Sequence, residues 1–155
     1  MAKAKPDGYR SLTPYLIVRD AAAAISFYQS VFGARERMRL PMPGGKIGHA
    51  ELEIGDSLIM LADEAPEHHA VAQSSGDDRS MTLHMYVDDA DAVVAAAEKA
   101  GGRIRDAVTT KFYGDRSGTV VDPFGHVWNV ATHVEDVPED ELQRRLAALM
   151  GAPPT

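Results

Sequence analysis

The feature that most restricts the fold is an internal repeat: sliding the chain against itself by 69 residues superposes two runs of similar length and element order. Val18 falls on Val87, Asp20 on Asp89, Gly33 on Gly102, Gly45 on Gly114 and Ala62 on Ala131, while the apolar Ile25 and Val31 fall on Val94 and Ala100. The matches need no gap, and each pair shares its expected secondary structure. A duplicated supersecondary unit satisfies both facts.

The first copy opens with Leu12–Val18, where Leu12, Leu16 and Val18 alternate with Thr13, Tyr15 and Ile17 at the period of a strand. Asp20 then supplies an N-cap to AAAAISFYQSVF, which places Ile25, Tyr28, Val31 and Phe32 on one helical face and ends at Gly33. Three strands are expected near Arg35–Leu40, Lys46–Ile54 and Ser57–Ala62, separated by the turn signals PMPGG and GD. The second copy repeats the order, with a strand at Met81–Val87, a helix over about Asp89–Ala100, and strands near Arg103–Thr110, Ser117–Val121 and His126–Thr132. The fold class is therefore α+β, with two tandem βαβββ modules at about residues 10–63 and 80–133 in one domain spanning 1–155. Residues 64–79 are polar with little periodicity and read as a mobile linker. After Pro138, a short amphipathic helix to about residue 149 carries a stripe of Leu142, Leu146 and Leu149.

Composition narrows the function classes. At 155 residues and 45% apolar content the chain can bury a proper core, and the absence of cysteine removes disulfides, thiolate ligands and a thiol nucleophile. A reducing, cytoplasmic setting is the expectation. No apolar run approaches the roughly 20 residues of a membrane helix, and MAKAKPDGYR lacks the apolar core of a signal peptide and reads as a frayed tail. The formal net charge of −7 argues against nucleic acid as a partner.

Strand parity separates two faces. Leu12, Leu16 and Val18 suit the helix side, leaving Thr13, Tyr15 and Ile17 opposite, with Thr82, His84 and Tyr86 in the same places of the second copy. In HAELEI, His49, Glu51 and Glu53 share the open face, and Met60 and Ala62 correspond to Asn129 and Ala131. Aromatic, apolar and a few polar side chains on one concave surface describe a small-molecule pocket.

The opening LTPYLIVRDAAAAISFYQSVFGA, the segment GHAELEIGDSLIMLAD and above all FYGDRSGTVVDPFGHVWNVATHVEDV resemble the vicinal-oxygen-chelate superfamily, in its PhnB-like glyoxalase/bleomycin-resistance branch. The resemblance covers roughly residues 10–137. It implies that each module curls into half of a barrel and that subunits pair as a homodimer, but the fold hosts isomerases, dioxygenases, transferases and non-catalytic binders. It also implies where a divalent metal would sit: at Thr13 and Thr82 on the opening strands and at Met60 and Asn129 on the closing ones. Hydroxyl, thioether and amide groups are poor ligands for such ions, which take imidazole nitrogen or anionic oxygen.

A displaced site of His49, Glu51 and His84 remains an alternative, as a metal set or as metal-free acid–base groups with Glu51 and His84 in the catalytic roles. Tyr15 and Tyr86 suit stacking on a ligand or packing in the core, and Tyr113 and Arg116 in FYGDRSG suit an anionic ligand or a turn. Trp128 has core parity, His126 reads as a turn residue, His133 is open, and His68 and His69 read as solvated. Three functions follow: a small-molecule binder, of an antibiotic-like or aromatic compound, with no cofactor; a lyase, isomerase or dioxygenase; or a protein docking through the leucine stripe.

Overall fold

Alternation in YLIV produces a strand whose Leu16 and Val18 are fully buried, and this strand opens the first of two similar units in the computed structural model, which describes residues 2–73 and 80–151. In the first unit β1 (Tyr15–Val18) leads into α1 (Ala21–Phe32) and then β2 (Arg35–Pro41), β3 (Ile47–Ile54) and β4 (Ser57–Asp63). The sheet order is β1-β4-β3-β2, with β1 parallel to β4 and the other pairs antiparallel. The second unit repeats this with β5 (Leu83–Tyr86), α2 (Ala90–Lys99), β6 (Arg103–Thr110), β7 (Asp115–Val121) and β8 (Val127–His133), in the order β5-β8-β7-β6. The duplication expected from the 69-residue offset is present as two four-stranded mixed sheets, each with its helix.

Both helices start as the sequence requires. The Asp20 carboxylate accepts the Ala23 N–H at 3.0 Å and the Asp89 carboxylate accepts the Ala92 N–H at 3.0 Å. A second acceptor reaches each helix from its closing strand. Asp63 on β4 takes the Ala21 N–H at 2.9 Å and the Ile47 N–H at 2.7 Å, and its repeat mate Thr132 takes the Ala90 N–H at 2.9 Å while donating to the Val87 carbonyl. Beneath α1 lie Leu16, Val18, Ala50, Leu52 and Leu61, all removed from water, each large side chain contributing about 1.5–3 kcal/mol. The first unit also takes in the turn Pro123–His126 from late in the chain. Phe124 packs edge-on against Phe27 and Tyr28, and the His126 Nε2–H donates to the Ile17 carbonyl at 3.2 Å.

Several expectations are corrected. The first strand begins at Tyr15, not Leu12: Pro14 has no N–H to give a ladder, and Leu12 is 88% exposed where helix-side burial was expected. Thr13 and Thr82 accordingly precede β1 and β5. The repeat is not free of gaps. Tyr15 opposite Met60 and His84 opposite Asn129 preserve the offset of 69, but their next neighbours across the sheet, Glu51 and Thr119, are 68 apart. Between equivalent positions the turn after β7 has three residues, Pro123, Phe124 and Gly125, where its counterpart has Gly55 and Asp56, and this one extra residue restores the register.

Residues 64–73 of the expected linker are organised: Ala65 bridges Ala70 around a short 3₁₀ turn at Pro66–His68, and the Arg19 guanidinium donates to the Gln73 carbonyl at 3.2 Å. Residues 74–79, the rest of that expectation, lie outside the described residues. The tail is not frayed at Tyr9, whose ring lies 5.6 Å beneath the Arg37 guanidinium. At the other end, α3 (Glu139–Leu149) is tied down by Arg145, which pairs with Glu135 at 2.8 Å and donates to the Phe112 carbonyl at 2.9 Å. Of its leucine stripe, Leu142 is partly covered, whereas Leu146 and Leu149 are exposed.

Candidate functional site

Pairing across the first sheet sets the row Tyr15, Met60, Glu51, Met38 on the face opposite α1, with Leu40 beside His49 one step along. His49 and Glu51, two residues apart on β3, share that face, and the structure joins them to Tyr15 in a chain. The Tyr15 hydroxyl lies 2.8 Å from His49 Nδ1, and His49 Nε2 lies 3.0 Å from Glu51 Oε2. A carboxylate only accepts, so Nε2 carries the proton and donates to Glu51, leaving Nδ1 to accept from the Tyr15 O–H.

Two groups that the sequence reading missed complete this cluster. A β-bulge between Glu36 and Met38 inserts Arg37 beside Glu51, and the Tyr9 hydroxyl comes to rest there, buried without full hydrogen-bond geometry to any partner. The Tyr9 hydroxyl, then His49, and more weakly Arg37 hold Glu51 below the usual carboxylate range against the opposing effect of desolvation. Desolvation, with the Glu51 charge second, raises the pKa of the Tyr15 hydroxyl, and burial followed by the Glu51 carboxylate pushes the Tyr9 hydroxyl up to about 12 against the opposing Arg37 charge. Both phenols stay protonated at neutral pH. A bulge is poorly legible in sequence; the only signal was an arginine interrupting the strand alternation of RERMRL.

The second sheet carries different chemistry at the related places. His84 sits opposite Asn129, whose amide N–H donates to His84 Nδ1 at 2.8 Å while its carbonyl oxygen accepts from the Thr119 hydroxyl at 3.3 Å. The imidazole proton is therefore on Nε2. Tyr86 meets the His84 ring edge-on at 4.9 Å and donates its hydroxyl proton to Asp115 at 3.0 Å. His133 links Asp115 (2.8 Å from Nδ1) to Asp136 (2.7 Å from Nε2), and these carboxylates, Asp115 first, raise its pKa. Asp115 is nearly buried and serves both partners.

The remaining candidates are placed plainly. Arg116 is turned to the helix-bearing side, where it makes a two-pronged pair with Asp91 of α2 at 2.6 and 2.8 Å, because the residue after Asp115 on a strand must face the other way. Its guanidinium is paired within the fold, the turn-holding alternative of the two expected for it. Tyr113 is exposed in the loop after β6, with its ring against Phe112. Trp128 is core, donating from Nε1 to Asp122 at 2.9 Å. His49 and Glu51 are brought together, whereas His84 belongs to the other unit. Among the described residues, no group of three or more His, Cys, Asp or Glu side chains is placed to hold a metal ion. The donors at the implied metal positions do not suit one either: Met60 offers a thioether, and both ends of the Asn129 amide are engaged in hydrogen bonds.

Paired βαβββ units with opening and closing strands side by side define a class, and the comparisons agree with it. The chain belongs to the Glyoxalase/Bleomycin resistance protein/Dioxygenase superfamily, whose family model matches residues 11–130. It is 38% identical over 141 residues to the uncharacterized protein Mb0911c of Mycobacterium bovis, covering 89% of this chain and 93% of that one. Among solved structures it is similar to TioX from Micromonospora sp. ML1, with 25% identity, a TM-score of 0.64 and coverage of 81% of this chain and 100% of that one. A PhnB protein from Bacillus cereus shares the fold at 18% identity and a TM-score of 0.64, covering 79% of this chain and 99% of that one.

Proposed function

We propose that this chain is a small-molecule-binding member of its superfamily that works without the divalent ion its relatives' fold can carry. The observation that carries this reading is the donor set on the paired strands: Tyr15 beside Met60 in one unit, and His84 held by Asn129 in the other. These four side chains offer one imidazole and no carboxylate, too few of the ligands a tightly held first-row ion takes. The face carrying Tyr15, Met60, Met38 and Leu40 around the His49–Glu51 pair has the mixture expected of a site for a largely apolar, aromatic-type molecule. A homodimer in the cytoplasm is part of the proposal. It is supported by the exposed Met38, Leu40 and Met42 along an edge strand and by the cysteine-free composition.

The test is metal content. Purified protein incubated with Zn²⁺, Ni²⁺, Fe²⁺ or Mn²⁺, desalted and examined by elemental analysis is expected to hold far less than one ion per chain. About one retained ion per chain overturns the reading.

A further inference from the structure

The face of the first sheet holds more than a binding surface. We propose that Tyr15, His49 and Glu51 form a proton relay whose outer end, Tyr15 Oη, removes the proton from a weakly acidic O–H of a bound phenol- or enol-type molecule. This rests on the small-molecule reading above and specifies the ligand class and the chemistry of that site.

Three structural facts carry it. The chain is continuous, at 2.8 Å from Tyr15 to His49 and 3.0 Å from His49 to Glu51. Its members differ in exposure in the right order: Tyr15 is 47% exposed, while the His49 and Glu51 side chains are mostly covered. A tyrosine used only for packing would be turned inward; this one keeps its oxygen at the open face with its own proton committed to His49. The oxygen's free lone pairs can therefore only accept, and the group they receive must be a donor. Met60 and Ile17 beside Tyr15 on that face suit an apolar body carrying that donor.

Glu51 is placed to hold a charge and not to take the proton itself. Facing the relay are Tyr15 from β1, Arg37 from the bulge in β2, Tyr9 from the N-terminal segment, and Glu53 two residues along β3, which is paired with Arg35 at 2.6 Å; Met60 on β4 is uncharged. In the step, the ligand O–H bond breaks and its electron pair stays on the ligand oxygen. The proton joins Tyr15 Oη as the original Tyr15 proton passes to His49 Nδ1, leaving an imidazolium against the Glu51 carboxylate and an anionic ligand. No oxidant, metal or further reactant is required.

Two measurements on the full chain test this. With ¹⁵N-labelled histidine, His49 is expected to show a protonated Nε2 and an unprotonated Nδ1 at neutral pH; the opposite tautomer overturns the relay. The second uses 4-nitrophenol, whose phenolate absorbs visible light. At pH 6 the bound probe is expected to show a phenolate-to-phenol ratio about tenfold above that of free probe, equivalent to one pKa unit. The enrichment should vanish in Tyr15→Phe and in His49→Gln and persist in Arg144→Gln on α3. A probe that binds without enrichment overturns the relay and leaves the binding reading intact. No binding at all overturns the phenol-type ligand, and an unchanged enrichment in Tyr15→Phe removes Tyr15 from the relay. Metal analysis of the same sample reports separately on the metal-free reading.

Discussion

His133 lies between Asp115 and Asp136, each within hydrogen-bond reach of a different ring nitrogen, so both carboxylates are satisfied only when the ring is protonated. Its folded pKa is raised above the unfolded value, hence its contribution to stability is complete below about pH 6.5 and is lost as pH climbs through the higher folded value. Urea midpoints of the wild type and His133→Gln across pH 5.5–9 should differ most at the acidic end and converge with rising pH. A gap that is constant or widens with pH rules out this account. The same residue shows how a side chain undecided in sequence acquires a role: its partners are 18 residues back on a neighbouring strand and three residues ahead. Only the pairing of β7 with β8 puts Asp115 and His133 opposite each other.

Elements were more legible than the links between them. Asp20, Gly33 and Asp89 announce helix ends through local chemistry, and the helices form where those residues place them. The acceptor that Asp63 supplies to α1 was not legible, because the partner amides at Ala21 and Ile47 lie 42 and 16 residues away. Replacing Asp63 with Ala strands two buried N–H groups and should cost about 2–6 kcal/mol, at about 1–3 for each unsatisfied group. Denaturant unfolding reads this directly, and a loss below about 0.5 kcal/mol would falsify the double-capping role. Bulges belong to the same scale. Each module has one at an arginine, Arg37 and Arg105, so the irregularity was duplicated with the strands; Arg37 stands beside Glu51, and Arg105 beside Asp106 at 3.4 Å. The candidate site was therefore half legible. Strand parity put Tyr15, His49 and Glu51 together, whereas Tyr9 and Arg37 depended on a bulge and a docked tail that no periodicity encodes.

Across the whole chain, the duplication and the superfamily were legible from spacing and motif, and the slip of one residue between β3 and β7 was not. It hides because turn length compensates for it in DPFG, and it decides which residue stands beside the closing strand: Thr119, not Val120, answers Glu51. The longer turn also carries Phe124 and His126 into the first unit, 109 residues beyond the Ile17 carbonyl that His126 engages. Phe124→Ala and His126→Ala should therefore accelerate amide hydrogen exchange in β1 and α1; acceleration confined to β7 and β8 would refute that anchoring.

The same turn bears on biosynthesis. A domain repeat ordinarily lets the leading copy fold as it leaves the ribosome while the trailing copy is still being translated. Here the leading copy lacks the edge of its aromatic cluster until Phe124 emerges. That cluster is completed during synthesis only once the chain has been translated past Phe124, and for that interval the rings of Phe27 and Tyr28 lack this neighbour.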